Sequence, residues 1–246
     1  MTGVAGKRGN CVSMVLPIKR KYKLSSATSP VFNKPFSALL FDMDGTVLNS
    51  LAAAERVWGD WARSKGLDVE AFMPTMHGSR GVDTISRLGL PGVDAVAEAA
   101  EIERAEIDDV EGIVAIPGAV AFLKSLPPES WAIVTSAPAL LAKRRMEAAG
   151  IPFPEIMVTA EDVSIGKPDP QCYLLGAKKL GVDIADCLVF EDAPAGIQAG
   201  EAAGAEVLVI TATQVHKLAT QHAAITDYND ITAEIGNDGK ISIVRT

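Results

Sequence analysis

Two aspartates separated by one residue, Asp42 and Asp44, follow a short apolar run and precede Gly45-Thr46, which turns the chain away. Carboxylates placed in this way can hold a divalent cation, accept a phosphoryl group, or work as an acid/base pair. An Asp-Gly turn with solvated acids would look the same, so the pair needs support from elsewhere in the chain. Three further clusters supply it. Thr135-Ser136 stands just before Pro138, a residue suited to opening a helix, and a hydroxyl beside exposed helix N–H groups can bind a phosphate oxygen. Lys167 lies within Gly166-Lys167-Pro168-Asp169-Pro170, between residues that free or stiffen the backbone. Glu191-Asp192 precedes the small-residue run Ala193-Pro194-Ala195-Gly196. Taken singly, Ser136 reads as a helix cap, Lys167 as a solvated loop charge, and Glu191-Asp192 as a complement to a helix dipole. Their recurrence at successive strand ends points instead to phosphoryl chemistry.

The elements that must position these clusters follow from hydrophobic period. The run Ala38 to Phe41 is apolar without alternation, as in a strand buried on both faces of a parallel sheet, and the carboxyl edge of such a sheet is where ligands bind. From Pro117 onward helices and strands alternate. Helices are predicted over 119–126, 138–149, 171–180 and 193–203, the last three stopped by Gly150, Gly181 and Gly204. Strands are predicted over 131–135, 156–159, 187–190 and 206–210. The pattern predicts an α/β fold with a Rossmann-like parallel sheet.

No strand-like run is evident between Val47 and Ile113. Leu51, Ala54, Val57, Trp58, Trp61 and Ala62 recur at helical spacing, with Ser50 as the expected N-cap and Gly66 as the stop. Helices over 81–88 and 93–110 follow. Residues 49–113 therefore read as a small all-α insert placed like a lid over the aspartates, on a core formed by 36–48 and 114–246. Beyond Thr211 the pattern weakens, to short helices near 215–222 and 228–235 and an edge strand over 240–244 after Asn237-Asp238-Gly239.

Composition narrows the function class. The chain has 246 residues, 48% hydrophobic and 22% charged, and no apolar stretch suited to a membrane span. Residues 1–34 hold seven Lys or Arg and no acid; the remainder holds 16 basic and 31 acidic residues. An acidic body argues against nucleic acid, whose binders present a basic face. The basic start, with Lys19-Arg20-Lys21 and Ser25-Ser26, fits a transit peptide, a disordered extension or an early start codon, and residues 1–35 are left out of the predicted fold. A cytoplasmic location is expected, with organelle targeting by residues 1–35 left open. Cys11, Cys172 and Cys187 lack metal-ligand spacing and His77, His216 and His222 are scattered, so zinc is not expected. No G-x-G-x-x-G follows a strand, which argues against a dinucleotide oxidoreductase.

In order and type, Asp42-Met43-Asp44-Gly45-Thr46, Thr135-Ser136, Lys167 and Glu191-Asp192 resemble the four motifs of the haloacid dehalogenase superfamily of phosphotransferases. The resemblance runs from about residue 37 to residue 210. The insert resembles the α-helical cap of the branch that holds small-metabolite phosphatases and β-phosphoglucomutase. The runs Phe190 to Ile197 and His77-Gly78-Ser79-Arg80 are similar to sugar phosphatases, 2-deoxyglucose-6-phosphatases and glycerol-phosphate phosphatases.

The resemblance implies that Asp42 attacks phosphorus, that Asp44 carries the proton of the leaving alcohol, and that Lys167 neutralises the transferring oxygens. It implies one Mg²⁺ held by Asp42, the Asp44 carbonyl and Asp192, with Glu191 holding a water of that ion. Phosphate contacts fall to the Met43 backbone N–H, Thr46, Thr135 and Ser136, and substrate choice to His77 and Arg80 in the insert. The implied partner is a small-molecule phosphate ester, and a monomer is expected. Threonine at 46 favours hydrolysis, since the mutases tend to carry valine there. A phosphomutase and a non-catalytic phosphosugar-binding protein are the competing readings.

Overall fold

Short runs of Val, Leu, Ile and Phe between glycine-stopped helices leave each strand no solvent-facing side, and a central sheet covered on both faces results. The computed structural model describes residues 1–3, 29–214 and 220–246. In chain order the first elements are β1 (Ala38–Phe41), β2 (Leu48–Asn49), α1 (Leu51–Ser64), α2 (Val69–Phe72), α3 (Gly81–Leu88), α4 (Ala95–Asp108) and β3 (Val114–Ala115). The alternating part follows as α5 (Ala119–Ser125), β4 (Trp131–Val134), α6 (Ala139–Ala149), β5 (Ile156–Val158), α7 (Gln171–Leu180), β6 (Cys187–Glu191), α8 (Pro194–Ala203), β7 (Glu206–Ile210) and β8 (Ala223–Ile225). The chain ends in β9 (Ile231–Ile235) and β10 (Ile241–Arg245).

The main sheet is parallel in the order β5-β4-β1-β6-β7-β8. β1 lies near its centre, every residue buried, between β4 and β6 in register Leu40 to Ala132 and Leu40 to Val189. On one face Phe41 stacks on Phe190 at 4.4 Å between ring centroids, and both pack near Phe122 and Tyr228. The other face buries Leu40, Val134, Val189 and Tyr173 beneath α7 and α8. This rigid centre fixes where Asp42 leaves the sheet. Helices α1 to α4 enter between β2 and β3 and pack a cluster of their own from Trp58, Trp61, Phe72, Ile85 and Ile102. Among the described residues, no helix is long and apolar enough to cross a membrane.

Four expectations are corrected. A strand does occur in the segment read as strand-free: Leu48-Asn49 pairs antiparallel with Val114-Ala115, joining both ends of the helical insert. Two residues are too few to show a period. Residues 228–235 are not a helix but a 3₁₀ turn followed by β9, which forms a hairpin with β10. The alternation Ile231, Ala233, Ile235 against Thr232 and Glu234 is the period of a strand, and it outweighs the helical reading. Residues 29–35 belong to the fold, so the extension of 1–35 was drawn too long. Val31 N donates to Ile243 O at 2.8 Å, Arg245 N to Ser29 O at 2.9 Å, and Phe36 N to Ile241 O at 2.8 Å, covering the free edge of β10. Finally, Ser50 holds the N-cap position of α1, its carbonyl accepting from Ala54 N at 2.9 Å, but its side chain makes no cap; Asn49 Oδ1 accepts from Leu51 N at 3.0 Å instead. Of the helix expected over 215–222, residues 215–219 lie outside the described residues, as do Cys11, His216 and the basic run 19–21; His222 is not helical.

Candidate active site

The carboxyl ends of β1, β4 and β6 converge on one buried lysine. Lys167 Nζ donates to Asp42 Oδ1 at 2.7 Å, to Glu191 Oε1 at 2.8 Å and to the Val134 carbonyl at 3.2 Å. Its side chain is 1% exposed. The loop that brings it there is tied by Gln171, whose Oε1 accepts from the N–H groups of Ser164 and Ile165, and by Asp169, which accepts from Gln171 N at 2.9 Å.

Glu191 is fully buried and has donors on both oxygens. Oε1 also accepts from Tyr173 Oη at 2.8 Å, and Oε2 from the N–H groups of Asp192 and Ala193. Glu191 thus anchors Lys167 and shapes the turn into α8. Glycine is required on either side of this group. Gly45 has φ of 87° and faces Asp192, and Gly196 faces Glu191; a Cβ at either position would collide with the carboxylate.

One oxygen from each of Asp42, Glu191 and Asp192 lies within 4.8 Å of the others. Burial pushes the Asp42 carboxyl up to about 7, with Lys167 opposing and Glu191 and Asp44 adding to the rise. Burial, then the charges of Glu191 and Asp42, also hold Asp192 well above the ordinary carboxylate range. Three acids against one lysine leave surplus negative charge in a water-poor site. A hard divalent cation with oxygen ligands fits that surplus, and Asp42 and Asp192 are the carboxylates least occupied by protein donors. Asp192 accepts only weakly, from Thr46 Oγ1 and Thr213 Oγ1 at 3.4 Å each.

Asp44 faces away from Lys167. Its Oδ1 accepts from Ser50 Oγ at 2.6 Å and its Oδ2 pairs with Arg145 Nη1 at 2.9 Å. Arg145 on α6 also reaches Glu106 Oε1 on α4 at 2.7 Å, and Trp58 Nε1 donates to the same oxygen at 3.1 Å. Burial opposes charge on Arg145, yet Asp44 and Glu106 outweigh it and hold its pKa above the ordinary value. Burial likewise pushes the Glu106 carboxyl up, against the pull of Arg145.

Of the remaining residues singled out from sequence, Thr135, Ser136, His77 and Arg80 line a cavity of about 1310 Å³ between the sheet edge and the helical insert. Thr135 is buried, and its Oγ1 accepts from Ala137 N at 3.0 Å. Ser136 Oγ donates across the cavity wall to the Gly78 carbonyl at 3.0 Å. The first N–H of α6, that of Ala139, is taken by Glu161 at 3.0 Å. Met43 is buried, and its carbonyl accepts from Thr46, Val47 and Leu48 to form the turn after β1. His77 lines the cavity; burial lowers its pKa, with Glu55 and Asp44 pulling the other way. Arg80 also lines it but is engaged twice, by Asp83 at 2.6 Å and by the carbonyls of Val163 at 3.0 Å and Ser164 at 3.2 Å.

Sequence reasoning missed Arg145, Glu106 and Tyr173. For the first two a signal existed. Arg145 shares the buried stripe of α6 with Leu141, Ala142 and Met146, and Glu106 that of α4 with Ile102. A charge inside an apolar stripe asks for a buried partner. Tyr173 gave less warning, since tyrosine is common on half-buried helix faces and only its burial makes the hydroxyl need a partner.

A family model described as "haloacid dehalogenase-like hydrolase" matches residues 36–204. Hexitol phosphatase A of Escherichia coli K12 is 45% identical over 177 residues, covering 70% of this chain and 82% of that protein. Glycerol-1-phosphate phosphohydrolase 1 of Saccharomyces cerevisiae is 37% identical over 201 residues, covering 75% of this chain and 80% of that protein. Among solved structures, a hydrolase from Pseudomonas syringae superposes with a TM-score of 0.68 at 27% identity, over 77% of this chain and 93% of that one.

Proposed function

Because the chain belongs to the haloacid dehalogenase-like hydrolases, we propose that it is a Mg²⁺-dependent phosphatase of sugar or polyol monophosphates, working through an aspartyl phosphate on Asp42. Asp42 carries this reading. It stands at the carboxyl end of a central strand, one oxygen held by Lys167 at 2.7 Å and the other free to approach phosphorus on the cavity floor. Relatives that act on hexitol and glycerol phosphates support the substrate class.

In this reading the phosphoryl group moves from the substrate alcohol to Asp42, and Asp44 gives the departing oxygen a proton. Water then attacks the aspartyl phosphate as Asp44 takes a proton back. Lys167 faces the transferring oxygens and screens their charge from the Asp42 nucleophile. Asp42, Asp192 and the Asp44 carbonyl would hold Mg²⁺, which would supply the second positive charge that a dianionic substrate needs. Residues 49–113 act as the cap: their closure excludes bulk water, and His77 and Arg80 meet the sugar end. A mutase must hold a second phosphate. Among the described residues lining the cavity, Arg80 and Arg145 are each already paired with acids, which favours hydrolysis.

The test is phosphate release from a panel of sugar and polyol phosphates, with Mg²⁺ and with EDTA. Release only with metal, abolished by Asp42→Asn in a folded protein, is the expected result. Turnover by Asp42→Asn, or none across the panel, would overturn the reading.

A further inference from the structure

Arg145 is buried, 6% exposed, and its charge is shared between two acids on different parts of the chain. Nη1 meets Asp44 at the end of β1, and Nη2 meets Glu106 on the cap helix α4. Its Nε is buried without a partner among the described residues, so these two carboxylates are the contacts that orient the guanidinium. Glu106 is itself fixed by Trp58 of α1 at 3.1 Å. The other Asp44 oxygen is fixed by Ser50 at 2.6 Å, at the foot of the same cap helix α1. One oxygen of Asp44 is therefore held from the foot of the cap, and the other by a core guanidinium whose second anchor is on the cap.

Stability does not account for this arrangement. Apolar side chains of similar volume usually serve a buried position as well as an ion pair does, and often better. A planar guanidinium does offer two fixed donor directions, which can hold one carboxylate relative to another.

We infer that Arg145 is a positioning residue that aims the Asp44 carboxylate at the leaving oxygen only while α4, through Glu106, is docked on the core. The inference rests on the reading of Asp44 as the proton carrier. When the cap lifts, Glu106 leaves with it, and Arg145 keeps a single anchor. Asp44 then loses its fixed orientation, so proton transfer waits for closure.

The test exploits the leaving group. An alkyl phosphate such as a hexitol phosphate leaves as a poor alkoxide and needs the proton; p-nitrophenyl phosphate leaves as a stable phenolate and does not. The quantity to measure is kcat/KM, which reports steps up to alcohol release, taken as the alkyl-to-aryl ratio within each variant. The ratio cancels any general loss of folded enzyme. For Arg145→Met the ratio should fall by about tenfold or more, part of the contribution a general acid makes. Arg145→Lys, which keeps the charge on a single nitrogen without the fixed fork, should fall between this and the parent, and carries the test if the Met variant does not fold.

An unchanged ratio overturns the inference, because Arg145 then supports only the fold. A raised ratio also overturns it, because the pair then holds Asp44 away from the substrate. Asp44→Asn in the same assay separates the two levels. If it shows no alkyl bias, the proton-carrier reading has failed rather than the role of Arg145.

Discussion

Two buried cations serve the two aspartates at the end of β1, and each bridges two acids. Lys167 joins Asp42 to Glu191, and Arg145 joins Asp44 to Glu106. The difference lies in what carries the partners. Both acids of Lys167 end central strands that pair directly, β1 with β6, so no hinge can separate them. The acids of Arg145 come from the end of β1 and from a helix of the insert, which returns to the core through the two-residue pair of β2 and β3. One bridge is built into the sheet and neutralises charge whatever the cap does. The other spans the seam between core and insert. On the proposed reading, charge compensation for phosphoryl transfer is permanent, whereas control of the proton carrier is conditional on closure.

Removing Lys167 gives the largest separation of the two. Lys167→Met leaves Asp42 and Glu191 facing each other without a cation, and the transferring phosphoryl group without its screen. Phosphate release should fall by about 10³-fold or more, in line with the loss of a preorganised donor at a developing charge. Because this screen serves every ester, kcat/KM should fall equally for alkyl and aryl phosphates. A selective loss on alkyl phosphates, as expected for Arg145→Met, would erase the distinction between the bridges.

The same contrast explains what could be read in the sequence. Asp42 and Glu191 were legible because each stands at the carboxyl end of a short buried strand, which leaves it few places to go. Lys167 read alone was a loop lysine; only the neighbouring strand ends gave it a target. The Arg145 bridge depends on how two helices, α4 and α6, meet across the insert boundary, a tertiary contact that no local period encodes. Ser50 shows the same limit: its local role is a helix cap, and the cavity redirects its hydroxyl to Asp44. Ser136 does likewise, donating to Gly78 of the insert where a phosphate contact was expected. Of the β9–β10 hairpin, the turn at 237–239 and the edge strand after it were legible, and β10 stands there; β9 was not, because its alternation runs for five residues only and follows a polar turn that reads as a helix start.

Metal removal should touch only the first bridge. Without metal, the Asp42 carboxyl sits near 7 in the folded protein, against an ordinary value of 3.8. The folded state then holds a proton that the unfolded state has lost, so stability falls as pH rises from about 4 through 7. A cation that binds the ionised carboxylates removes this penalty. The Tm gain from adding Mg²⁺ to EDTA-treated protein should accordingly be larger at pH 8 than at pH 5. At a hundredfold excess over Kd the stabilisation is about 2.7 kcal/mol, enough for several degrees in a chain of this size. Equal gains at both pH values would place the metal away from Asp42. From the Arg145 bridge only Asp44 enters this shift, as the smallest of its causes.

The smallest effect is expected where charge is removed but the donor geometry is kept. Glu106→Gln retains an Oε1 that can accept from both Arg145 and Trp58, and burial already pushes the Glu106 carboxyl toward its neutral form. If orientation across the seam is what Glu106 contributes, the alkyl-to-aryl ratio should change by less than about threefold, the scale of a single modest hydrogen-bond change. Glu106→Leu, with no acceptor, should lower the ratio toward that of Arg145→Met. A Gln variant as damaged as the Leu variant would mean that Glu106 acts through its charge, and the second bridge would then resemble the first more than its geometry suggests.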